Sequence, residues 1–346
     1  ACGYGTFSHV HFGLLYEGVP YPLNGVSIGG YTIHAAADQY NGWWTRNRDG
    51  RTICTITTGK ATCPIPNDQS TSGSPASGPP VSTSMTTRVV DSSSGNALAN
   101  MGWSGDRAEL TPSGRFVVFT SPASNLVAND RNTSPNNADV FVKDLASGST
   151  SMVTLTPAGQ QGRDDPENPS ISDDGRLVVF NTTCCDPVLA RSAIAIEAGK
   201  PPTSWGRVTV PRLTQHVVLL KDRQTGRLFL VSYIRAANGV STVEGVEPAI
   251  SGDGRYVAFI DGETAGALYV RNIATGSLTR ADSSADGTAG TGLASWPSIS
   301  ADGQYVAFCD FDLGSGGQGG IFIKNLPTGV LRRVANQCQR PTITRD

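Results

Sequence analysis

The sequence predicts an all-β chain: a small N-terminal β-sandwich module followed by a β-propeller. Two observations carry this. Charged residues are only 16% of the 346, whereas there are 40 glycines and 21 prolines, a mixture that suits short strands joined by turns. A four-fold internal repeat then fills the C-terminal three-quarters of the chain.

The repeat has two phrases. The first is Leu110–Phe119, Ile171–Phe180, Ile250–Phe259 and Ile299–Phe308. Each reads as a strand, a tight turn and a second strand, with Gly114, Gly175, Gly254 and Gly303 supplying the positive φ of the turn. The second phrase follows as Asp139–Asp144, His216–Asp222, Leu268–Asn272 and Ile321–Asn325. A Gly-containing turn and a fourth strand come next, at Met152–Leu155, Leu228–Val231, Leu278–Arg280 and Leu331–Val334. Four antiparallel strands per unit make one propeller blade.

The Ser-x-Asp-Gly-Arg-Tyr-Val-Ala-Phe and Asp-Val-Phe-Val-x-Asp phrases resemble the WD40-like repeats of TolB-type propellers, over roughly residues 86–346. The resemblance implies the fold and leaves function open, because such blades serve scaffolds, receptors and enzyme appendages.

Three zones follow from composition: a module at 1–68, a Ser/Gly/Pro linker at 69–85 and the propeller at 86–346. The first contains Tyr31–His34 and Thr52–Ile56, alternating stretches that read as strands. It is similar to Ig-like or carboxypeptidase-regulatory-like modules in its Asp49-Gly-Arg turn and its final hairpin. A turn at Thr58-Gly59 sets Cys54 opposite Cys63 in a non-hydrogen-bonded pair, where a cross-strand disulfide fits.

The propeller ends are irregular. Thr87–Val90, including Val89, resembles the fourth strand of a blade that has no first three strands upstream. Arg340–Asp346, including Ile343, resembles the inner-strand phrase Pro-Ser-Ile-Ser-x-Asp. Four complete blades plus a partial or shared fifth are therefore expected. The fifth is completed by a longer natural chain or by another chain's strand, or the ends merely decorate a four-bladed propeller. An unfilled blade exposes strand edges, and edges recruit strands.

The formal charge of −2 supplies no basic field for nucleic acid, and no apolar run approaches the ~20 residues of a membrane span. Seven cysteines and a first residue that is not Met point to an exported chain, secreted, at the cell surface or periplasmic. Cys309 and Cys338 fall in one repeat unit and can bridge it; Cys2, Cys184 and Cys185 have no assigned partners.

Candidate chemistry is sparse. His9 and His11 share a strand face, with His34 a further imidazole, but lack a matching Cys or carboxylate. Asp130, Asn132, Asn136, Asn137 and Asp139 form an oxygen-rich stretch, as do Asp164, Asp165, Glu167 and Asn168; calcium is the only cofactor they suggest, without the ordered Asp-x-Asp-x-Asp-Gly loop. The one Gly-x-Ser-x-Gly pattern, Gly25–Gly29, lies in the small N-terminal module without the helical residues of the α/β-hydrolase domain that such an elbow needs, and there is no Asp box with a trailing Thr-Trp, so no enzyme is expected. Phe180 and His216 are 36 positions apart, against 9 for Phe259 and Leu268. The insertion, with Ile194, Ile196 and Trp205, is the best interaction element. The expected function is extracellular assembly or protein–protein interaction, as a filament subunit in its sharpest form. The alternative is a module that binds carbohydrate or peptide across the propeller mouth.

Overall fold

A computed structural model describes residues 90–100, 108–131, 138–162, 166–182, 189, 192–195, 216–236, 239–242, 244–262, 266–283, 290, 293–311, 313 and 319–345; within the first 89 it describes the strands alone. Contacts divide the chain into two compact units, 1–89 and 90–346.

In the first unit, β1 (Leu14–Tyr16) and β2 (Val19–Tyr21) form a hairpin. The strands β3 (Ser27–Ile28), β4 (Tyr31–Ala35), β5 (Gly42–Arg46), β6 (Thr52–Thr57) and β7 (Lys60–Ala61) form one antiparallel sheet in chain order. Thr57 pairs with Lys60 and Ile56 with Ala61, the register that a two-residue turn at Thr58-Gly59 dictates. Cys63, the Cys54 side chain, His9 and His11 lie outside the described residues. A second packed sheet, which a sandwich needs, is not among the described residues.

The second unit is the repeat made solid. Blade 1 is β8 (Ala108–Leu110), β9 (Phe116–Ser121), β10 (Asp139–Asp144) and β11 (Thr150–Met152). Blade 2 is β12 (Pro166–Ile171), β13 (Leu177–Thr182), β15 (Val217–Asp222) and β16 (Leu228–Leu230), with β14 (Ile194–Ala195) added at its outer edge. A hairpin of β17 (Tyr233–Ala236) and β18 (Gly239–Thr242) follows. Blade 3 is β19 (Gly245–Ile250), β20 (Tyr256–Asp261), β21 (Ala267–Asn272) and β22 (Leu278–Arg280). Blade 4 is β23 (Ala294–Ile299), β24 (Tyr305–Asp310), β25 (Gly320–Asn325) and β26 (Leu331–Ala335). The second and third strands read as continuous apolar runs because both of their faces are buried between blades.

Two contacts join each blade to the one before it. The residue opening one blade's second strand sits against the turn glycine of the next. A Cβ on Gly175 would lie 2.2 Å from the Phe116 ring, one on Gly254 2.7 Å from Leu177, and one on Gly303 2.1 Å from Tyr256. The second contact is a buried cation on each third strand, which donates to carbonyls of the preceding turn. Lys143 reaches Ser93 O at 2.9 Å, Lys221 reaches Leu155 O, Arg271 reaches Val231 O at 2.7 Å and Lys324 reaches Ser283 O. Burial pulls Lys221 down to about 8, against a smaller upward pull from Asp222. A buried cation is tolerable only where such acceptors replace its water.

Residues 90–100 repeat the turn that follows β11. Asn96 (φ 61°) stands where Gly159 (φ 76°) stands. Asn96 N donates to Ser93 O as Gly159 N donates to Thr156 O, both at 2.9 Å. This stretch is thus the end of an outer strand with no blade of its own among the described residues. It covers the apolar side of blade 1 formed by Val117, Phe119 and Phe141.

The third-to-fourth turns are held by Asp144, Asp222, Asn272 and Asn325, which accept from backbone N–H groups at 2.9–3.0 Å. Arg115 donates to Asp144 and, with two turn N–H groups, holds its carboxyl down to about 2. Burial acts to raise Asp222, but Arg176, Thr225 and Gln224 hold it to about 2.

Two outcomes follow. Gly175→Ala, which meets both a positive φ and a ring, should lose about 2–4 kcal/mol in urea unfolding. Gly226→Ala, at φ 71° with nothing within 4 Å, should lose about 1 kcal/mol; equal losses would remove the packing argument. Second, folded carboxyls near 2 against an ordinary 3.8 contribute stability that is complete above that ordinary value and lost as pH falls through about 2. The double variant Asp144→Asn, Asp222→Asn should flatten stability against pH in that window, measured by urea unfolding.

Candidate functional site: the acidic axial mouth

The inner strands β8, β12, β19 and β23 are neighbours in that order, and the turns at their C-terminal ends form one mouth. In blade 2 the turn is built by Ser172, whose Oγ donates to Asp174 Oδ1 at 2.6 Å and accepts from Leu177 N at 2.9 Å. Arg176 N donates to the same Oδ1 at 2.9 Å. Ser251 with Asp253, and Ser300 with Asp302, repeat this geometry. Blade 1 has Thr111 and Ser113 instead, so its turn is uncharged. The Ser300 hydroxyl and the Gln304 N–H lower the Asp302 carboxyl.

Neighbouring turns touch. Asp173 N donates to Gly252 O at 2.9 Å and Asp253 N to Ala301 O at 2.8 Å. A Cβ on Gly252 would lie 2.1 Å from Asp173 Oδ2, so a larger residue there would turn the Asp173 carboxylate aside. The result is an open cavity of about 450 Å³ lined by Asp173, Asp174, Asp253, Asp302, Arg255, Gly252 and Ala301. Four carboxylates face one guanidinium there.

The C-terminal stretch enters this mouth. Residues 336–345 form no strand, although their sequence matches the inner-strand phrase. The disulfide Cys309–Cys338, with Cα atoms 5.2 Å apart, ties them to the outer face of blade 4. Ile343 N then donates to Ser298 Oγ at 3.0 Å. Arg345 ends the run: Nη1 donates to Ile171 O at 2.6 Å and Asp173 Oδ1 at 3.2 Å, while Nη2 donates to Ile250 O at 2.7 Å and pairs with Glu109 Oε1 at 2.7 Å. One residue thereby links blades 1, 2 and 3, and its neighbour links blade 4. Burial raises the Glu109 carboxyl, and Arg345 is the largest influence against that.

No family model matches the chain, and no curated protein matches it. Among solved structures it is similar to TolB from Acinetobacter baumannii, at 15% identity and a TM-score of 0.41 over 68% of this chain and 44% of that one. A putative TolB from Agrobacterium tumefaciens is 13% identical, with a TM-score of 0.42 over 70% and 67%. Oligogalacturonate lyase from Vibrio parahaemolyticus is 11% identical, with a TM-score of 0.40 over 85% and 58%. These solved structures are TolB and oligogalacturonate lyase propellers. The chain spans under half the length of the Acinetobacter protein.

The bulges of the inner strands carry residues to which sequence reading gives no backbone role. Asn168, Glu247 and Trp296 have φ of 51°, 51° and 53°, each at a bulge in its inner strand. Each precedes a proline, which bars the right-handed helical region, and each left-handed residue costs about 1–3 kcal/mol. Trp296 N donates to Glu247 Oε2 at 2.6 Å, and burial raises that carboxyl against this bond. The signal was present as Pro169, Pro248 and Pro297 at one repeat position.

Other sequence candidates take structural roles. Asp139 is buried and accepts from Thr154 and, at 2.7 Å, from Gln161 Nε2. The same amide nitrogen donates to Asp130 Oδ1 at 2.8 Å. These carboxylates are bridged by an amide where the calcium reading put a cation; among the described residues no group of three metal-ligating side chains assembles. Within the insertion, Ile194 pairs in parallel with Phe229 of β16, and Leu189 and Ala193 enter the core, so this part covers a blade edge. Ile196, Trp205, Val89, Cys2, Cys184 and Cys185 lie outside the described residues.

Cys338→Ser should cost about 3–4 kcal/mol in unfolding free energy, the loop-closure contribution for this spacing. It should also speed amide hydrogen exchange at 339–345; exchange as slow as in the parent would show that the bridge does not hold the tail.

Proposed function

We propose that this is an exported, non-enzymatic interaction protein that assembles with copies of itself through the two outer faces of its propeller. The observation that carries this is an interblade contact left half-made at each end. Phe116, Leu177 and Tyr256 each press on the next blade's turn glycine, but Tyr305, their counterpart in blade 4, is 41% exposed. At the other end, a Cβ on Gly114 would meet nothing within 4 Å. Leu110 is 54% exposed, whereas Ile171, Ile250 and Ile299 are buried. Ile321 and Ile323 of blade 4 are half-buried, where Leu268 and Val270 of blade 3 are buried.

The chain thus carries a projecting ring on one face and a receiving glycine on the other, the two halves of a joint it makes three times internally. A second copy offers the matching half to each. Such a contact is head-to-tail, and if its rotation does not close it builds a filament. The disulfide Cys309–Cys338 supports an oxidising compartment outside the cytosol. The mouth carboxylates Asp174, Asp253 and Asp302 each commit an oxygen to their own turn, which supports a structural role for them over acid–base work.

Sedimentation velocity and electron microscopy test the reading. The parent chain should associate with rising concentration into head-to-tail oligomers. Tyr305→Glu, melting as the parent does, and Gly114→Trp, losing only the roughly 1 kcal/mol that its positive φ costs, should each reduce association at least tenfold. Parent chains that stay monomeric at high concentration, or association that ignores both changes, would overturn it.

A further inference from the structure

The mouth of the propeller already holds a ligand, and the ligand is part of the chain. The Arg345 guanidinium is met by two carboxylates, Glu109 and Asp173, and two carbonyls, Ile171 O and Ile250 O. These acceptors come from three blades and reach both terminal nitrogens. A lysine has one nitrogen in place of this fork and cannot span Ile171 O and Ile250 O together. The arginine sits on a strandless stretch that the Cys309–Cys338 bridge and the Ile343 N–H bond to Ser298 help to hold. Beside it lies the acidic cavity of about 450 Å³, which shares Asp173 with the Arg345 site.

We propose that the axial mouth is a recognition site for an arginine side chain of an extended basic polypeptide, and that Arg345 is its tethered occupant, displaced when that ligand binds. The guanidinium takes the four acceptors, and the flanking basic residues of the ligand lie along Asp174, Asp253 and Asp302. A tethered occupant competes at an effective concentration on the order of millimolar, so the site presents a weakened face to ligands while Arg345 is seated. Its removal therefore strengthens outside binding by the reciprocal of the fraction of time the site stood empty. Displacement also frees the stretch from 339 onward and removes the tie that this stretch makes between blade 4 and blades 1 and 2. Ligand binding and the propeller's closure are coupled by that exchange, independently of whether copies assemble through the outer faces.

The probe is acetyl-Gly-Arg-Gly-amide, with its lysine analogue as control, titrated by calorimetry into the full chain. Arg345→Ala should bind the arginine peptide about tenfold tighter than the parent and about tenfold tighter than it binds the lysine peptide. Adding Glu109→Gln to Arg345→Ala should abolish that gain. Should Arg345→Ala fail to fold, Arg345→Lys, which keeps the charge and loses the fork, should shift binding in the same direction. Equal binding by parent and folded variant, no binding by the variant, or binding indifferent to Glu109→Gln would each overturn the proposal.

Discussion

The propeller depends on one repeated contact: an apolar side chain at the start of a blade's second strand, seated on a glycine of the next blade's inner turn. The glycine serves twice. Its positive φ makes the tight turn, and its missing Cβ leaves room for Phe116, Leu177 or Tyr256. The pitch from blade to blade is thereby fixed near the axis, while the third-strand cations fix it farther out by donating to the preceding turn. Hydrophobic burial supplies most of the energy, in two clusters that run across blades 1 to 3 and 3 to 4. The glycine and the cation supply the geometry.

A repeat with directional contacts leaves unlike ends, and the chain treats them differently. Residues 90–100 stand in for the turn of a preceding blade, so Lys143 finds carbonyls although that blade is absent among the described residues. At the other end Cys338 and Arg345 fold the last residues over the inner half of blade 4 and into the axis. Neither device supplies the ring-on-glycine joint. Tyr305 and Gly114 retain it in unmet halves, and from that mismatch the reading of an assembling protein follows.

Much of this was legible in the residues. The four turn glycines, the four apolar second strands and the spacing of Cys309 and Cys338 locate the blades because each obeys a local rule of backbone or period. What was not legible depends on contacts distant in sequence. Arg340–Asp346 reads as an inner strand, yet nothing local states that Arg345 will find Glu109, more than 200 positions away. β14 is two residues long and pairs in parallel, too short to show a period. Gln161 carries no motif, although it satisfies Asp130 and Asp139 together. The strained bulges at Asn168, Glu247 and Trp296 went unread, although a proline follows each of them at one repeat position.

The most direct measurement of the central claim is photo-crosslinking from position 305. A photoreactive phenylalanine analogue in place of Tyr305 would be mixed with isotope-labelled parent chain, irradiated, and the linked peptides read by mass spectrometry. The account predicts links between an unlabelled 305 and a labelled peptide containing Leu110–Gly114. Links confined to a single chain, or to labelled peptides away from blade 1, would contradict it.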